Sequence, residues 1–335
     1  MTARRFALLA PLCAALFLLV ACNSSEKRTL SRADKEKMFS IHRDSAFTYY
    51  RTGELDRAED QIYRGLEIHE DDVELRVLLG QIMEARGTRD SILRGELVWR
   101  SLLADKDVRA PHGLAKMLER KGVLYDEAAR GIASGARFTE AADPAARSTE
   151  LAAEARKLWK EAETLYLRAH KTKPDDRNVL NGLQRVSALL GKDEESLSWS
   201  NKVIAATDLE LEDWRKLLMR PELSVREEDR LRQNVRQIER LQVQTLLQAS
   251  SVAARLGRLD EAIASLQRVA ELDPSMAEAH SRQAVLFERA GNCEAALHEI
   301  DEYLRLVDLD FDHPDVNAAY ALKKRCEAER SAAYR

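Results

Sequence analysis

Apolar residues fall along this chain in two patterns. One is a continuous run over 6–21, free of charge and preceded by Arg4 and Arg5. Beyond it, apolar and charged residues interleave at helical intervals. In "MRPELSVREEDRLRQ", Pro221 and a capping box of Ser224 with Glu227 precede a helix whose apolar positions Leu231, Val235 and Ile238 recur on one face. The pattern predicts an all-α chain behind a short apolar leader.

The leader is too short for a comfortable membrane span, which takes ~20 apolar residues, and Pro11 stands inside it. Its basic start, apolar middle and small-residue end have the layout of an export signal. The residues Leu19, Val20, Ala21 and Cys22 resemble the lipobox of bacterial lipoproteins. That resemblance implies cleavage between Ala21 and Cys22, a diacylglycerol on the Cys22 thiol, and acylation of the new amino group, palmitate being a usual acyl chain. Each buried CH₂ of an acyl chain contributes ~0.8 kcal/mol, so three chains hold a protein beside a membrane that its folded part never enters. In such lipoproteins an aspartate after the cysteine is the usual inner-membrane retention signal. Here the residue is Asn23, which makes the expected location the outer membrane, facing the periplasm.

Glycine ends helices in the left-handed conformation, so its spacing reports where helices turn. Gly53, Gly87, Gly122, Gly191, Gly257 and Gly291 lie at intervals near ~34 residues or twice that. Three neighbourhoods share more than the glycine: "RTGELDRAED" at Arg51, "RLGRLDEAIASLQRVAELDPSMAEA" at Arg255 and "RAGNCEAALHEI" at Arg289. Each sets an alanine, Ala58, Ala262 or Ala296, five residues later. A small residue there lets the second helix of a unit approach the first. "WKEAETLYLRAHKTKPDD" at Trp159 continues the pattern with Ala162, Tyr166, Ala169 and Pro174; Pro174 and Pro274 stand where one unit must turn into the next. These features resemble the tetratricopeptide repeat family. The resemblance implies a right-handed superhelix, an α-solenoid of antiparallel helix pairs, whose concave groove is lined by the first helix of each unit and receives a peptide or helix of another protein.

On this phase the chain divides into a signal peptide at 1–21, a tether at 22–38, a solenoid at 39–310, and a capping helix with tail at 311–335. About eight units are expected, at 39–72, 73–106, 107–142, 143–176, 177–210, 211–242, 243–276 and 277–310. Two diverge. In 143–176, Lys157 replaces the turn glycine, leaving the two helices free to run as one. In 211–242, the helix after Ser224 is free to run on into the next unit. The last element, "HPDVNAAYALKKRCEAERS" from His313, reads as the polar cap that a solenoid's final repeat requires.

Composition narrows the function more than it narrows the fold. With 33% charged and 6% aromatic residues, the chain fits a helix-rich soluble body. The formal net charge of −4 becomes about −6 once Arg4 and Arg5 leave, which argues against a nucleic-acid partner. Once Cys13 departs with the signal and Cys22 is lipidated, Cys293 and Cys326 remain: either a disulfide, worth ~3–4 kcal/mol in the chain-entropy model, or two buried free thiols.

No acid, base and nucleophile constellation stands out, and HExxH and CxxC are missing, so a binder rather than an enzyme is expected, with no cofactor and no metal. "DLDFDHPD" at Asp308 alternates carboxylates but departs from the calcium-loop pattern. His42 and His280 hold equivalent positions in their units, where packing explains them. The candidate partner-binding residues are Phe47 and Tyr50, which the repeat phase puts on the groove side while Tyr49 points into the pair, and Asn181 with Arg185 in "RNVLNGLQR", which approach a carboxylate clamp. Phe47 and Tyr50 either offer apolar area to a partner or lie covered by the preceding "SRADKEKMFS". The expected role is a lipid-anchored scaffold that binds a protein partner and assembles or stabilises an envelope complex, as pilotins and accessory lipoproteins of outer-membrane assembly do. The alternatives are a glycan-binding accessory protein and a structural spacer. Glycan sites need several stacking aromatics, and Trp99, Trp159, Trp199 and Trp214 are dispersed.

Overall fold

A computed structural model describes residues 31–333, with side chains to 331. The expected signal peptide, the expected cleavage site between Ala21 and Cys22 and the expected lipidation of Cys22 all fall outside the described residues. The chain separates into two compact units dividing between Leu75 and Arg76. No strand occurs among the described residues. Nor is any described helix long and apolar enough to cross a membrane.

In the first unit, α1 (Arg32–Arg51) turns at Gly53, whose φ of 80° is left-handed, into α2 (Leu55–Leu66). Ser31 caps α1 by accepting from the Asp34 amide at 3.1 Å. The expected tether is therefore helical from Arg32, and "SRADKEKMFS" belongs to the helix that carries Phe47 and Tyr50. It cannot fold back over them: at ~1.5 Å per residue, Phe39 sits ~12 Å along the axis from Phe47. Ala58 is fully buried where α2 approaches α1.

The second unit contains most of α3 (Val73–Arg86), then α4 (Arg89–Ala104), α5 (Ala110–Ala133), α6 (Pro144–Thr172), α7 (Arg177–Leu189), α8 (Asp193–Leu218), α9 (Val225–Arg255), α10 (Leu259–Leu272), α11 (Ala277–Arg289), α12 (Cys293–Leu306) and α13 (Pro314–Ala333). From α4 on, each helix packs against its successor, and α5 also meets α7 as α11 meets α13. This is the all-α solenoid of antiparallel pairs that the repeat implied. Ala162, Ala262 and Ala296 are fully buried, as close helix approach requires. Pro174 and Pro274 fall in the links before α7 and α11. At Ser224 the capping box forms: its hydroxyl accepts from the Glu227 amide at 3.3 Å while the Glu227 carboxylate accepts from the Ser224 amide at 3.0 Å.

The unit count differs from the expected eight. Among the described residues the helices make six pairs and a cap. Residues 107–142 and 143–176 together form a single pair, α5 and α6, because Lys157 lets α6 run 29 residues and Gly122 lies inside the 24-residue α5. The segment 211–242 makes no pair of its own; it divides between the end of α8 and the start of the 31-residue α9.

Gly122 is a close-approach residue. A Cβ there would stand 2.4 Å from Trp159 Nε1 and 2.7 Å from its Cδ1. Overpacking costs ~1–3 kcal/mol, against a gain of ~1 kcal/mol in helix propensity. Approaches this short to a rigid buried ring put the cost at the upper end, about 2–3 kcal/mol, so Gly122→Ala is expected to lower the urea midpoint by the equivalent of about 1–2 kcal/mol, and an unchanged or raised midpoint would contradict that contact. The indole belongs to the main core, where Trp99, Leu114, Met117, Leu118, Trp159 and Tyr166 pack across α4 to α6.

The cap α13 buries Val316, Leu322 and Cys326, the last two against Ala284, Leu297 and Ile300 of the last pair. Cys293, at the start of α12, packs against the same cluster. Both cysteines are free in this structure. The Cys293 thiol donates to Glu329 Oε2 at 3.1 Å. Its hydrogen bond with Cys326, then burial and Glu329, push its pKa up to about 12.

Candidate partner-binding groove

The first helices of three consecutive pairs in the second unit are α5, α7 and α9. On α5 the spacing of Lys116, Glu119 and Val123 puts them along one helix face. Arg185 and Leu189 hold one face of α7, and Gln248 and Arg255 one face of α9. Glu119, Val123, Arg185, Leu189, Gln248 and Arg255 line a cavity of about 550 Å³.

At its base lies a polar network built on Glu119, which is buried. Arg185 donates to both carboxylate oxygens, Nε at 2.5 Å and Nη2 at 2.9 Å. Tyr166 Oη donates to Oε2 at 2.7 Å. The Trp159 indole N–H donates to the Glu119 backbone carbonyl at 3.3 Å. Burial, then the neighbouring Glu119 charge, raise the Tyr166 pKa well above the usual phenol value. Burial works against the Arg185 guanidinium, but its bonds with Glu119 outweigh that and hold it above its ordinary range. His112, a turn before Lys116 on α5, has its ring 5.9 Å from that of Tyr166. Its pKa is lowered to about 4, chiefly by burial and then by Lys116 and Arg185, with Asp176 and Glu119 opposing.

Similar links join neighbouring pairs elsewhere in the second unit. Lys116 of α5 pairs with Glu84 of α3. Asp193, at the start of α8, receives Arg255 of α9 at 2.6 and 3.0 Å. Three arginines each donate to a carbonyl near the end of a first helix: Arg120 to Glu84 at 2.6 Å, Arg156 to Leu190 at 3.3 Å and Arg289 to Ala254 at 3.4 Å. A cation at a helix C-terminus offsets the dipole and satisfies a carbonyl without an intrahelical partner. The groove is thus polar and charged, with its charges largely matched.

Asn181 and Arg185 stand one turn apart on α7, both half-buried. Arg185 is held by Glu119, so it shapes the groove rather than extending toward a carboxylate. Phe47 and Tyr50 belong to the first unit and are half-buried; Tyr49 lies under the Arg57 guanidinium at 5.8 Å. His42 bonds Gln61 at 2.7 Å and His280 bonds Glu299 at 2.7 Å, each nineteen residues on, so the two histidines tie first helix to second in matching pairs. Trp99 and Trp159 are core residues. Sequence reading missed Glu119, Tyr166 as a hydrogen-bond donor, and His112. The one local signal was a carboxylate set among Leu114, Met117 and Leu118, the positions that α5 buries.

No family model matches the chain, and no curated protein matches it in sequence. A solved structure does share its fold. PilF of Pseudomonas aeruginosa aligns over 86% of this chain and 99% of its own, at 12% identity and a TM-score of 0.50. MamA (AMB-1) aligns over 70% of this chain and 93% of its own, at 16% identity and a TM-score of 0.41. The fold is an α-solenoid of the tetratricopeptide type.

Proposed function

We propose that this chain is a lipid-anchored scaffold of the bacterial cell envelope that binds a partner protein along the faces of its first helices. The observation that carries this reading is the groove across α5, α7 and α9, a cavity of about 550 Å³ whose polar groups are hydrogen-bonded in place on consecutively packed helices. Such a surface offers shape and hydrogen bonds and performs no reaction of its own. The tether is acylated Cys22, behind a leader cleaved after Ala21, and the attachment is to the outer membrane, facing the periplasm. In that oxidising compartment Cys293 and Cys326 form a disulfide by exchange with a disulfide-carrying oxidoreductase, which takes up the two protons and two electrons that the thiols lose. A glycan-binding role finds less support, because Trp99 and Trp159 are committed to the core and Lys202 covers the Trp199 ring at 4.0 Å.

The test is a pull-down from solubilised envelope with the anchor retained, combined with mass spectrometry of the native chain. A stoichiometric protein partner, an acylated Cys22 and a Cys293–Cys326 pair two hydrogens lighter are expected. Cys22→Ser should release the chain from membranes. Recovery of the bait alone would remove the scaffold role, and membrane retention of the serine variant would remove the lipid tether.

A further inference from the structure

The last pair and its cap enclose a second cavity in the same unit, of about 650 Å³, between α11, α12 and α13. It differs from the groove at Glu119 in what fills the gap between alternate helices. Between α5 and α7 that gap is closed by the Glu119–Arg185 pair. Between α11 and α13 an ion pair, Glu288 with Arg325 at 2.7 Å, sits at one end. The rest is apolar: Ala284, Ile300 and Leu322 make the floor, and Val285 and Leu309 on the walls are 43% and 44% exposed. Small side chains on α13, Ala318, Ala319 and Ala321, leave the trough open.

The charge around this trough is one-sided. Its lining includes three carboxylates, Glu278, Glu288 and Asp315, and one guanidinium, Arg325. Arg325 is taken by Glu288. Glu278 and Asp315 remain at the end formed by the starts of α11 and α13. Glu278 is approached by Arg282 of its own helix at 2.5 Å, with more than half its side chain in solvent. Asp315 lies 3.7 Å from His313 and is 73% exposed. Tyr303, also in the lining, marks the same end from α12.

From this geometry we infer that the trough is a docking site for a segment of a partner protein whose aliphatic side chains enter between Ala284, Val285 and Leu322 and whose lysine or arginine meets Glu278 and Asp315. The inference rests on the scaffold reading and names the chemistry of the partner. An aliphatic residue supplies the buried area. The cation supplies orientation, because only one end of the trough is acidic. The stretch from Glu278 to Glu288 rises ~15 Å along α11, room for about three helical turns or five extended residues.

The test uses a fluorescein-labelled dodecapeptide of repeated Lys-Leu-Leu-Ala, its glutamate counterpart and its norleucine counterpart, titrated against the purified full chain by anisotropy. The lysine probe is expected to bind about tenfold more tightly than the glutamate probe, with an advantage that shrinks as salt rises. Val285→Gln, at a half-exposed site, should retain its helical circular dichroism and weaken the lysine probe about tenfold. Asp315→Asn should weaken that probe about fivefold and leave the norleucine probe unchanged. Equal binding of lysine and glutamate probes, or unchanged binding to folded Val285→Gln, overturns the inference. A self-association removed by Val285→Gln would assign the trough to a second copy and likewise overturn it. The envelope pull-down separates the two readings: a partner retained equally by Val285→Gln leaves the scaffold standing and removes the trough as its docking site. If no partner is recovered while the probes still discriminate as expected, the scaffold falls and the chemistry of the trough stands.

Discussion

Glu119→Ala is expected to lower the stability of the second unit by about 3–5 kcal/mol, the range for removing one partner of a buried ion pair. The carboxylate holds two donors at once, the Arg185 guanidinium through both its oxygens and the Tyr166 hydroxyl through one. Truncation strands both in a region that excludes most solvent, and an unsatisfied buried hydroxyl alone costs ~1–3 kcal/mol. Arg185 keeps 38% of its side chain exposed and can recover some hydration, which sets the expected loss nearer ~3 kcal/mol. Glu119→Gln retains an acceptor for Tyr166 and should lose less. The double replacement Glu119→Leu with Arg185→Met removes charge and countercharge together and should recover much of the loss, because apolar pairs of similar volume often match a buried ion pair. Urea unfolding at neutral pH measures all three. Losses below ~1 kcal/mol for Glu119→Ala would place it among ordinary surface ion pairs and deny that Arg185 is held as part of the groove's frame.

The same residues show what a sequence of this kind discloses. Local rules were readable: the Ser224 box, the packing alanines at Ala58, Ala262 and Ala296, and the prolines that separate units all depend on neighbours within a few residues. The glycine period was readable but ambiguous. Gly53, Gly87, Gly191, Gly257 and Gly291 have positive φ and do end helices. Gly122 keeps the same spacing for another reason, the passage of the Trp159 ring. Nothing local separates a glycine needed for its backbone angle from one needed for its missing Cβ, so the third unit, 107–142, was given an internal turn at Gly122 where α5 runs straight through. Arg185 was legible as a groove position because the repeat phase fixes which face of α7 it occupies. Its partner was not. Glu119 lies 66 residues earlier in a segment with weak repeat character, and Asp193 and Arg255 are 62 residues apart. These pairs depend on how one helix pair is rotated against the next, a quantity that periodicity leaves undetermined. The trough at α11 and α13 is hidden similarly, since alanines read as helix formers whether they face a core, a gap or water.

Acid should destabilise the second unit through His112 well before general carboxylate protonation. Its folded pKa of about 4 lies below the ordinary histidine value of 6.5, so the unfolded chain binds the proton first as pH falls. Above pH ~6.5 both states are neutral and the residue contributes no pH dependence; between ~6.5 and ~4 stability drops; below ~4 both states are charged and the loss levels off. At ~1.36 kcal/mol per pKa unit, the full span corresponds to about 3 kcal/mol, with about 2 kcal/mol gone by pH 5. Ring burial is the main cause, and Lys116 and Arg185 add repulsion that Asp176 and Glu119 only partly offset. The carboxylates of Asp107 and Asp193, held below their usual range by hydrogen bonds from Arg109 and Arg255, act in the same direction at lower pH. For Glu96, Lys121 and Arg100 outweigh the opposing effect of burial, with the same sign. Their contributions are present above the unfolded carboxylate pKa and vanish as pH falls through the depressed folded values. The histidine is separable from them because it acts first. Urea midpoints measured from pH 7.5 to 4.5 should fall for the wild-type chain and fall much less for His112→Gln. Parallel slopes in the two proteins, or a His112 proton resonance that titrates near 6.5 in the folded state, would mean that the ring is hydrated and that the base of the groove is open to water.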